Sequence, residues 1–310
     1  MIKIKTALNF ITDSDFRFVC LANKGLKSKT PAEKFLKKKY RYFMGRDLDL
    51  ENPKLYTEKL QWLKLYDHRE EYTTMVDKYT VKQYVAQQIG QEYVIPLLGV
   101  WERVDDIDFA TLPNRFVLKT THDSGGLIIC KDKNRLDKQH ARKKLEFFLK
   151  RRYYDYNREW PYKNVRPRII AEPYMEDSAY KELRDYKFFT FGGVPKVLYI
   201  AQGRGTGEQT VADFFDMEFN HLPFTIDHDM ATHPPQKPEN FELMKKLAAK
   251  LSEGTPQLRV DFYEVDGKVF FGEMTFFHCS GMVPFCPEKW DRIFGDWVIL
   301  PQKNHEPNKI

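Results

Sequence analysis

Arg259, Asp261 and Glu273 are residues whose types and spacing could do chemistry together. They lie in RVDFYEVDGKVFFGEMTFFHCSG, residues 259–281, which reads as a β-hairpin followed by a Ser-Gly turn. Both halves are rich in Val, Phe and Tyr, and Asp266-Gly267 between them is a turn signal. Strands rarely carry acids among aromatics unless the acids face a polar cleft or solvent. Side chains alternate along a strand, so the turn decides which residues share a face. A two-residue loop at Asp266-Gly267 would pair Val265 with Lys268 and set Glu273 opposite Val260, on the other face from Asp261. A three-residue loop with Gly267 as a bulge would pair Glu264 with Lys268 and set Glu273 opposite Arg259. Arg259, Asp261, Glu273 and Thr275 would then share one face. Diagonal neighbours sit roughly 7–8 Å apart, within reach of one divalent ion. Two readings stand here: a shared metal, or two exposed acids with Arg259 and Glu273 as a surface pair.

Cations come earlier in the chain. Lys78 lies at the start of DKYTVKQYVAQQIG, residues 77–90. Asp77 suits the N-cap, Val81, Tyr84, Val85 and Ile89 line one face, and Gly90 closes the helix. A cation is unfavourable beside a helix N-terminus, so Lys78 either reaches for an anion or is an ordinary exposed lysine. Lys119 ends the apolar run of FVLKTTHDSGGLIIC, residues 116–130, before a loop from Thr120 to Gly126. Loops of hydroxyls and glycines let backbone N–H groups close over phosphates, although two glycines also make any hairpin turn. The loop is not a Walker A sequence, and no Rossmann fingerprint sits on a strand-to-helix turn. The GRGTG of residues 203–207 reads as a loop. RIIAEPYMED predicts a strand running into Glu172-Pro173, and DYKFFTFGGVPKVLYIAQGR a hairpin about Gly192-Gly193 with Lys187 among its aromatics.

The elements that must position these groups fit a large mixed fold. The 310 residues are 42% hydrophobic and 15% aromatic, enough for a packed core in one large or two smaller domains. No apolar stretch has transmembrane length, and MIKIKTALNFITDSDF lacks the small-residue cleavage site of a signal peptide. Cys20, Cys130, Cys279 and Cys286 are scattered without a CxxC pair, as in a reduced, cytoplasmic protein. Residues 1–75 read as mostly helical, including TPAEKFLKKKYRYFMG with its closing Gly45 and YTEKLQWLKLYDHR. Arg135 to Tyr153 predicts a long basic helix, and PENFELMKKLAAKLSEG another helix before the hairpin. The net charge of +6 is concentrated in KFLKKKYR and in that basic helix. Such runs suit a polyanion or the anionic inner face of a membrane; equally, they are solvated helix faces. No aromatic platform is interleaved as nucleic-acid binding requires.

The ordered set of Lys78, Lys119 with its Ser-Gly-Gly loop, Glu172-Pro173-Tyr174, Asp185 with Lys187, and Arg259-x-Asp261 followed by Glu273 resembles the ATP-grasp superfamily. It is similar above all to the branch associated with teichuronopeptide and surface-polysaccharide biosynthesis, often grouped with glycosyltransferase-like proteins. The resemblance spans roughly residues 50–301, through NPKLYTEKLQWLKLYD, DKYTVKQYV, LPNRFVLKTTHDSGG, RDYKFFTFGG and RVDFYEVDGKVFFGEMTF. It implies an α+β ATP-grasp fold: a helical region over 1–75, two α+β subdomains over 76–170 and 171–301 that clamp a nucleotide, and a loose tail over 302–310. It implies that Lys78 and Lys119 hold the phosphates of ATP, with Lys187 in the same set. His122, Ser124, Gly125 and Gly126 would belong to the loop that closes over them. Glu172 would begin the adenine hinge beside Tyr174 and Met175, and Asp185, before Glu182, would serve the ribose. Asp261, Glu273 and Thr275 would hold Mg²⁺. Arg259 would neutralise the transferred phosphoryl group, and Ser280 and Gly281 would hold a substrate carboxylate. Thr275 stands where many of these enzymes have Asn, and its hydroxyl is a weaker ligand than the amide carbonyl, which puts a second metal ion in doubt.

The activity implied is ATP-dependent ligation of a carboxylate, sugar-linked or from an amino acid, to an amine, giving an amide on a cell-surface polysaccharide or its precursor. Cytoplasmic location follows from the scattered cysteines, and a place at the inner face of the membrane from the basic runs. Acyl phosphates hydrolyse readily, so a mobile loop must exclude water, and catalysis would be positioning plus electrostatics. No Ser-His-Asp arrangement can be assigned, and no HExxH is present. The rival enzyme is a glycosyltransferase with a D-x-D metal motif, for which Asp13-x-Asp15, Asp47-x-Asp49, Asp106-x-Asp108 and Asp227-x-Asp229 are the candidates. A non-catalytic assembly partner using its basic helices is the third reading, and it would bind no nucleotide.

Overall fold

The computed structural model describes residues 9–179, 183–203 and 209–303. Glu182, residues 204–207 of the GRGTG stretch and the tail from 304 lie outside the described residues. The described chain opens on helices α1 (Ser14–Ala22), α2 (Ala32–Met44), α3 (Tyr56–Tyr66), α4 (Glu70–Val76) and α5 (Thr80–Ile89). The Asp13 carboxylate caps α1 by accepting from the N–H groups of Asp15 and Phe16, both at 2.9 Å. Helix α2 buries Phe35, Leu36, Lys39 and Tyr40 on one face and ends at Gly45, whose φ of 69° suits glycine. No helix among the described residues is long and apolar enough to cross a membrane.

Strands β1 (Gly99–Trp101), β2 (Phe116–Thr120), β3 (Leu127–Cys130) and β4 (Ile169–Pro173) form an antiparallel sheet in the order β1-β4-β2-β3. Between β3 and β4 come α6 (Lys138–Leu149) and the short α7 (Tyr154–Asn157). Basic α6 is shorter than the 135–153 expected, because Lys133–Arg135 is a separate 3₁₀ turn and the α-helix begins after the Asp137 cap. Ala141 and Leu145 of α6 pack with Phe116, Leu118, Ile128, Ile169 and Ala171 in a core of their own. The opposite face of this sheet carries Lys119, Leu127 and Glu172.

The second sheet has six antiparallel strands, β5 (Asp185–Phe191), β6 (Val194–Gln202), β7 (Val211–Phe215), β8 (His221–Leu222), β9 (Gln257–Val265) and β10 (Lys268–Thr275), ordered β10-β9-β5-β6-β7-β8. Helix α8 (Phe241–Leu251) lays Phe241, Met244, Ala248 and Leu251 on it, each larger side chain contributing about 1.5–3 kcal/mol of burial. Helix α9 (Lys289–Trp297) adds Phe294. One continuous core joins this sheet to α2, α3, α4 and α5 through Phe35, Leu60, Tyr72, Val85, Phe188 and Val260.

The hairpin β9–β10 corrects the expected register. Lys268 pairs with Val265, so the turn is the two-residue Asp266-Gly267, not a three-residue loop. Both turn residues take positive φ, 48° and 73°, as a type I′ turn requires. Asp266 tolerates this because its carboxylate accepts from the Ser178 hydroxyl (2.6 Å) while its N–H donates to Asp177 (3.0 Å). The extra residue enters instead at Gly272, where the register slips between Phe271 and Glu273. A Cβ at Gly272 would lie 3.1 Å from the Asp261 carbonyl oxygen, so the bulge favours glycine. The consequence is direct pairing of Glu273 with Asp261 and of Thr275 with Arg259. Arg259, Asp261, Glu273 and Thr275 therefore share a face, with the bulge at Gly272 rather than at its expected place, Gly267.

Candidate functional site

A cavity of about 300 Å³ opens between the two sheets. Lys78, Lys82, Lys119, Thr120, Glu172 and the loop residues 123–126 line one side of it; Asp185, Lys187, Tyr263, Gly272 and Glu273 line the other.

The second sheet delivers its charges as a cross-strand row. Lys187, Asp261 and Glu273 stand opposite one another on β5, β9 and β10. Lys187 Nζ lies 2.7 Å from Asp261 Oδ2 and 3.3 Å from Asp185. Arg259 grips Asp261 with two bonds, Nε to Oδ1 and Nη2 to Oδ2, each 2.7 Å. Its Nη2 also donates to Glu273 (3.2 Å) and Thr275 (3.0 Å). Burial opposes ionisation of Asp261, but Arg259 and Lys187 overcome it and hold the carboxyl at about 2. Burial likewise disfavours the Arg259 cation, and the Asp261 and Glu273 charges push its pKa up instead. The arginine's fifth contact is His278, whose Nδ1 accepts from Nη1 at 2.6 Å. Burial first, and Arg259 second, drive this imidazole down to about 3. The neutral ring then carries its proton on Nε2, 3.5 Å from Cys279 Sγ. Asp227, His278 and Cys279 bring ligand-type atoms within 4.8 Å of one another, yet that proton occupies the lone pair a metal would need.

The residues suit a hard divalent cation on one point of chemistry: Asp261, Glu273 and Thr275 offer only oxygen. Asp185, Asp261 and Glu273 also outnumber Lys187 and Arg259 by one charge. Both Asp261 oxygens are already engaged, whereas the Glu273 side chain is 44% exposed and carries one bond at 3.2 Å. Glu273 is thus the acid with spare capacity.

The first sheet presents its cations on exchangeable partners. Helix α5 begins at Thr80, later than expected, although Asp77 does cap its entry: it is extended, its carboxylate accepts from the Tyr79 N–H (3.0 Å) as well as from Arg168 (3.1 Å), and its carbonyl accepts from the Val81 N–H (3.0 Å). Lys78 therefore lies in a turn outside the helix, its N–H on the Thr121 carbonyl (3.1 Å) and its Nζ on the Asp123 carbonyl (2.6 Å). Lys119 Nζ meets Glu172 Oε2 at 2.6 Å, and Lys82 meets Oε1 of the same carboxylate at 2.6 Å. Burial would raise the Glu172 carboxyl, but the two lysines hold it below the usual range. Ser124 and Gly125 are exposed at the loop tip. Gly126 has no room for a side chain: a Cβ there would fall 1.7 Å from Thr120 Oγ1.

Several expected residues lie elsewhere. His122 is buried, bonded to the Arg151 carbonyl (3.0 Å), and does not line the cavity. Tyr174 stacks under the Arg115 guanidinium at 4.3 Å, and neither it nor half-buried Met175 reaches the cavity wall. Cys279 and Ser280 take left-handed φ of 46° and 56°, which turns Ser280 into α3. The Ser280 hydroxyl lies 2.7 Å from buried Lys64 Nζ, and its carbonyl accepts from Lys64 and Gln61. A Cβ on Gly281 would strike Gln61 and Leu60. The two are tied into this network and are not free to meet a substrate carboxylate. The four D-x-D matches serve local structure: Asp13 caps α1, Asp15 pairs with Arg41, Asp49 and Asp108 cap turns, and Asp227 meets Tyr199.

Lys82, Tyr263 and His278 were missed by sequence reasoning. Lys82 carried a signal: four residues after Lys78 it falls on the same helix face. His278 carried none, since only the left-handed turn aims it at Arg259.

A family model described as TupA-like ATPgrasp matches residues 58–299. No curated protein matches the chain. Among solved structures it is similar to D-alanine–D-alanine ligase from Bacillus anthracis complexed with ATP, at 16% identity over 66% of this chain and 55% of that one, TM-score 0.39. The Helicobacter pylori D-alanine–D-alanine ligase is 15% identical over 71% and 61%, TM-score 0.35. N5-carboxyaminoimidazole ribonucleotide synthetase from Thermus thermophilus is 12% identical over 71% and 51%, TM-score 0.39. The chain thus spans between 51% and 61% of the length of these three. At such identities and scores, the family match alone carries the assignment.

Proposed function

The chain belongs to the TupA-like ATP-grasp family, and from that premise we propose that it is an ATP-dependent ligase joining a carboxylate to an amine through an acyl phosphate. The observation that carries the proposal is the cavity itself, where lysines and a glycine loop on one sheet face Asp185, Lys187 and Glu273 on the other, with Arg259 bonded to Glu273 from behind that wall. Polyphosphate needs cations, and Lys78 and Lys119 stand ready with partners that phosphate oxygens can replace. Ser124, Gly125 and Gly126 would close over the phosphates and exclude water. Glu172, locked between Lys82 and Lys119, would open the adenine hinge, and Asp185 would meet the ribose. Lys187 would keep Asp261 ionised and steer the phosphate side of the cavity.

In the first half-reaction a substrate carboxylate oxygen attacks the γ-phosphorus, the bond to the β-phosphate oxygen breaks, and ADP leaves. In the second, an amine nitrogen attacks the acyl carbon, phosphate leaves and the nitrogen gives up a proton. Arg259 would neutralise the charge that builds on the transferring phosphoryl group. Glu273, with Asp261 and Thr275, would hold Mg²⁺, which supplies charge neutralisation to the phosphates when bound. Ser280 and Gly281 are left out of the substrate contacts, because α3 already uses them.

The substrates fit the family's polysaccharide association: a glycan or sugar-linked carboxylate and an amino-acid amine, used on the cytoplasmic side of the membrane. The test is to screen candidate acids and amines for ADP and phosphate release. Release that needs ATP, an acid and an amine together supports the ligase. A nucleoside diphosphate freed from a UDP-sugar without ATP would replace it with the glycosyltransferase.

A further inference from the structure

Residues 9–44 hold nine Lys and Arg against three Asp and Glu, an excess equal to the net +6 of the whole chain. The fold gathers this charge on one side. An open groove of about 700 Å³ between α1 and α2 is lined by Lys27, Lys29, Lys34 and Lys38. Lys34 and Lys38 also border the next concavity, with Lys37 and Arg41. Gly25 links the groove to a third concavity carrying Lys150, Arg151 and Arg152. Large apolar side chains stand exposed along the same belt: Leu26 at 66% and Phe147 at 62%. Leu26 lines the groove and Phe147 the third concavity.

We infer that this belt is a docking surface for an anionic lipid bilayer. Each lysine near such a surface gains about 1 kcal/mol, roughly fivefold in binding. Exposed apolar side chains among the lysines add insertion at the headgroup boundary. Leu26 favours a bilayer over a nucleic acid, because an aliphatic side chain inserts at the headgroup boundary but cannot stack on a base, and Phe147 serves the same insertion. The belt also backs the phosphate-binding loop. Arg151 accepts from His122 through its carbonyl, and Phe148 packs against the loop, its ring at the Cβ position of Gly125 and its own Cβ at that of Gly126. Docking therefore sets the cavity close to a membrane-borne substrate. The surface stands on its own charge and exposure, independently of the ligase chemistry.

The test is co-sedimentation of the full chain with phosphatidylcholine vesicles containing half phosphatidylglycerol, against pure phosphatidylcholine, without ATP. The protein should bind only the anionic vesicles and release them in high salt. Converting Lys27, Lys29, Lys34 and Lys38 together to Glu should weaken binding by about a hundredfold or more. Leu26→Ser with Phe147→Ser should weaken it about tenfold. Lys196→Glu with Lys289→Glu, exposed lysines outside the belt, should change it less than about twofold. No binding to the anionic vesicles, equal binding to both kinds, full binding by the four-lysine variant, or tighter binding to single-stranded RNA than to the vesicles would overturn the inference.

Discussion

The two walls of the cavity are built in opposite ways. On β5 and β9 Lys187, Arg259 and Asp261 are interlocked: Arg259 makes five contacts, and Asp261 is 1% exposed with both oxygens engaged. On the β2–β3 side, Lys78 rests on one carbonyl and Lys119 on one carboxylate, beside an exposed Ser124 and Gly125. Buried, paired charges are costly to disturb, whereas a lysine on a replaceable partner can move at little cost. The difference fits the proposed ligase, in which one wall would hold geometry and the other would take up and release the nucleotide.

The comparison breaks first at Asp261. Asp261→Asn leaves Arg259 and Lys187 buried without their common anion, and should cost about 3–5 kcal/mol. Urea denaturation would read this as a large drop in midpoint. Lys119→Ala, on the other wall, should cost under about 2 kcal/mol, because Lys82 still neutralises Glu172. Equal losses for the two would abolish the contrast between the walls.

Gly126→Ala tests the loop. The new Cβ collides with Thr120, so a loss of about 1–3 kcal/mol should accompany a fall in nucleotide affinity. Gly272→Ala should cost about 1 kcal/mol less than that, since its closest contacts are at 3.1 Å and can give slightly. If the bulge instead slides, Glu273 leaves the face of Asp261, and magnesium dependence should disappear while the fold survives.

Acid stability supplies the most selective effect. His278 is held down to about 3 from an ordinary 6.5, so between those values the unfolded chain binds a proton that the folded chain refuses. Its contribution is present above pH 6.5 and is lost as pH falls toward 3. Asp261, at about 2 against an ordinary 3.8, adds a further loss of about 2 kcal/mol as pH falls from 4 to 2. His278→Asn should flatten the stability profile between pH 6.5 and 4 and leave the limb below 4. Denaturation midpoints over this range check it.

The same contrast explains what could be read from the chain beforehand. Strand charges are legible because an acid among Val, Phe and Tyr is an anomaly, and Asp261, Glu273, Lys187 and Lys119 all stood out in that way. The resemblance added order to them, and the family match and two-sheet α+β fold agree with it. The register was not legible. Asp266-Gly267 fits two turn types, and the bulge depends on space between the Asp261 carbonyl and the Tyr263 ring, a contact between strands. Residues whose roles depend on packing were misjudged in the same way. Ser280 reads as a polar turn residue until α3 brings Lys64 and Gln61 to it. Burial holds Lys64 down to about 7, so even a lysine in the packed helix α3 belongs to a polar network. His122 reads as a loop residue until α6 covers it.

The central claim is that the two walls meet around ATP. Isothermal titration of the intact protein with ATP, with and without Mg²⁺, tests it most directly. The account predicts binding that strengthens with Mg²⁺, falls by about tenfold or more in Lys119→Ala, and loses its Mg²⁺ dependence in Glu273→Gln. Absence of ATP binding, or binding that Lys119→Ala leaves unchanged, would contradict it.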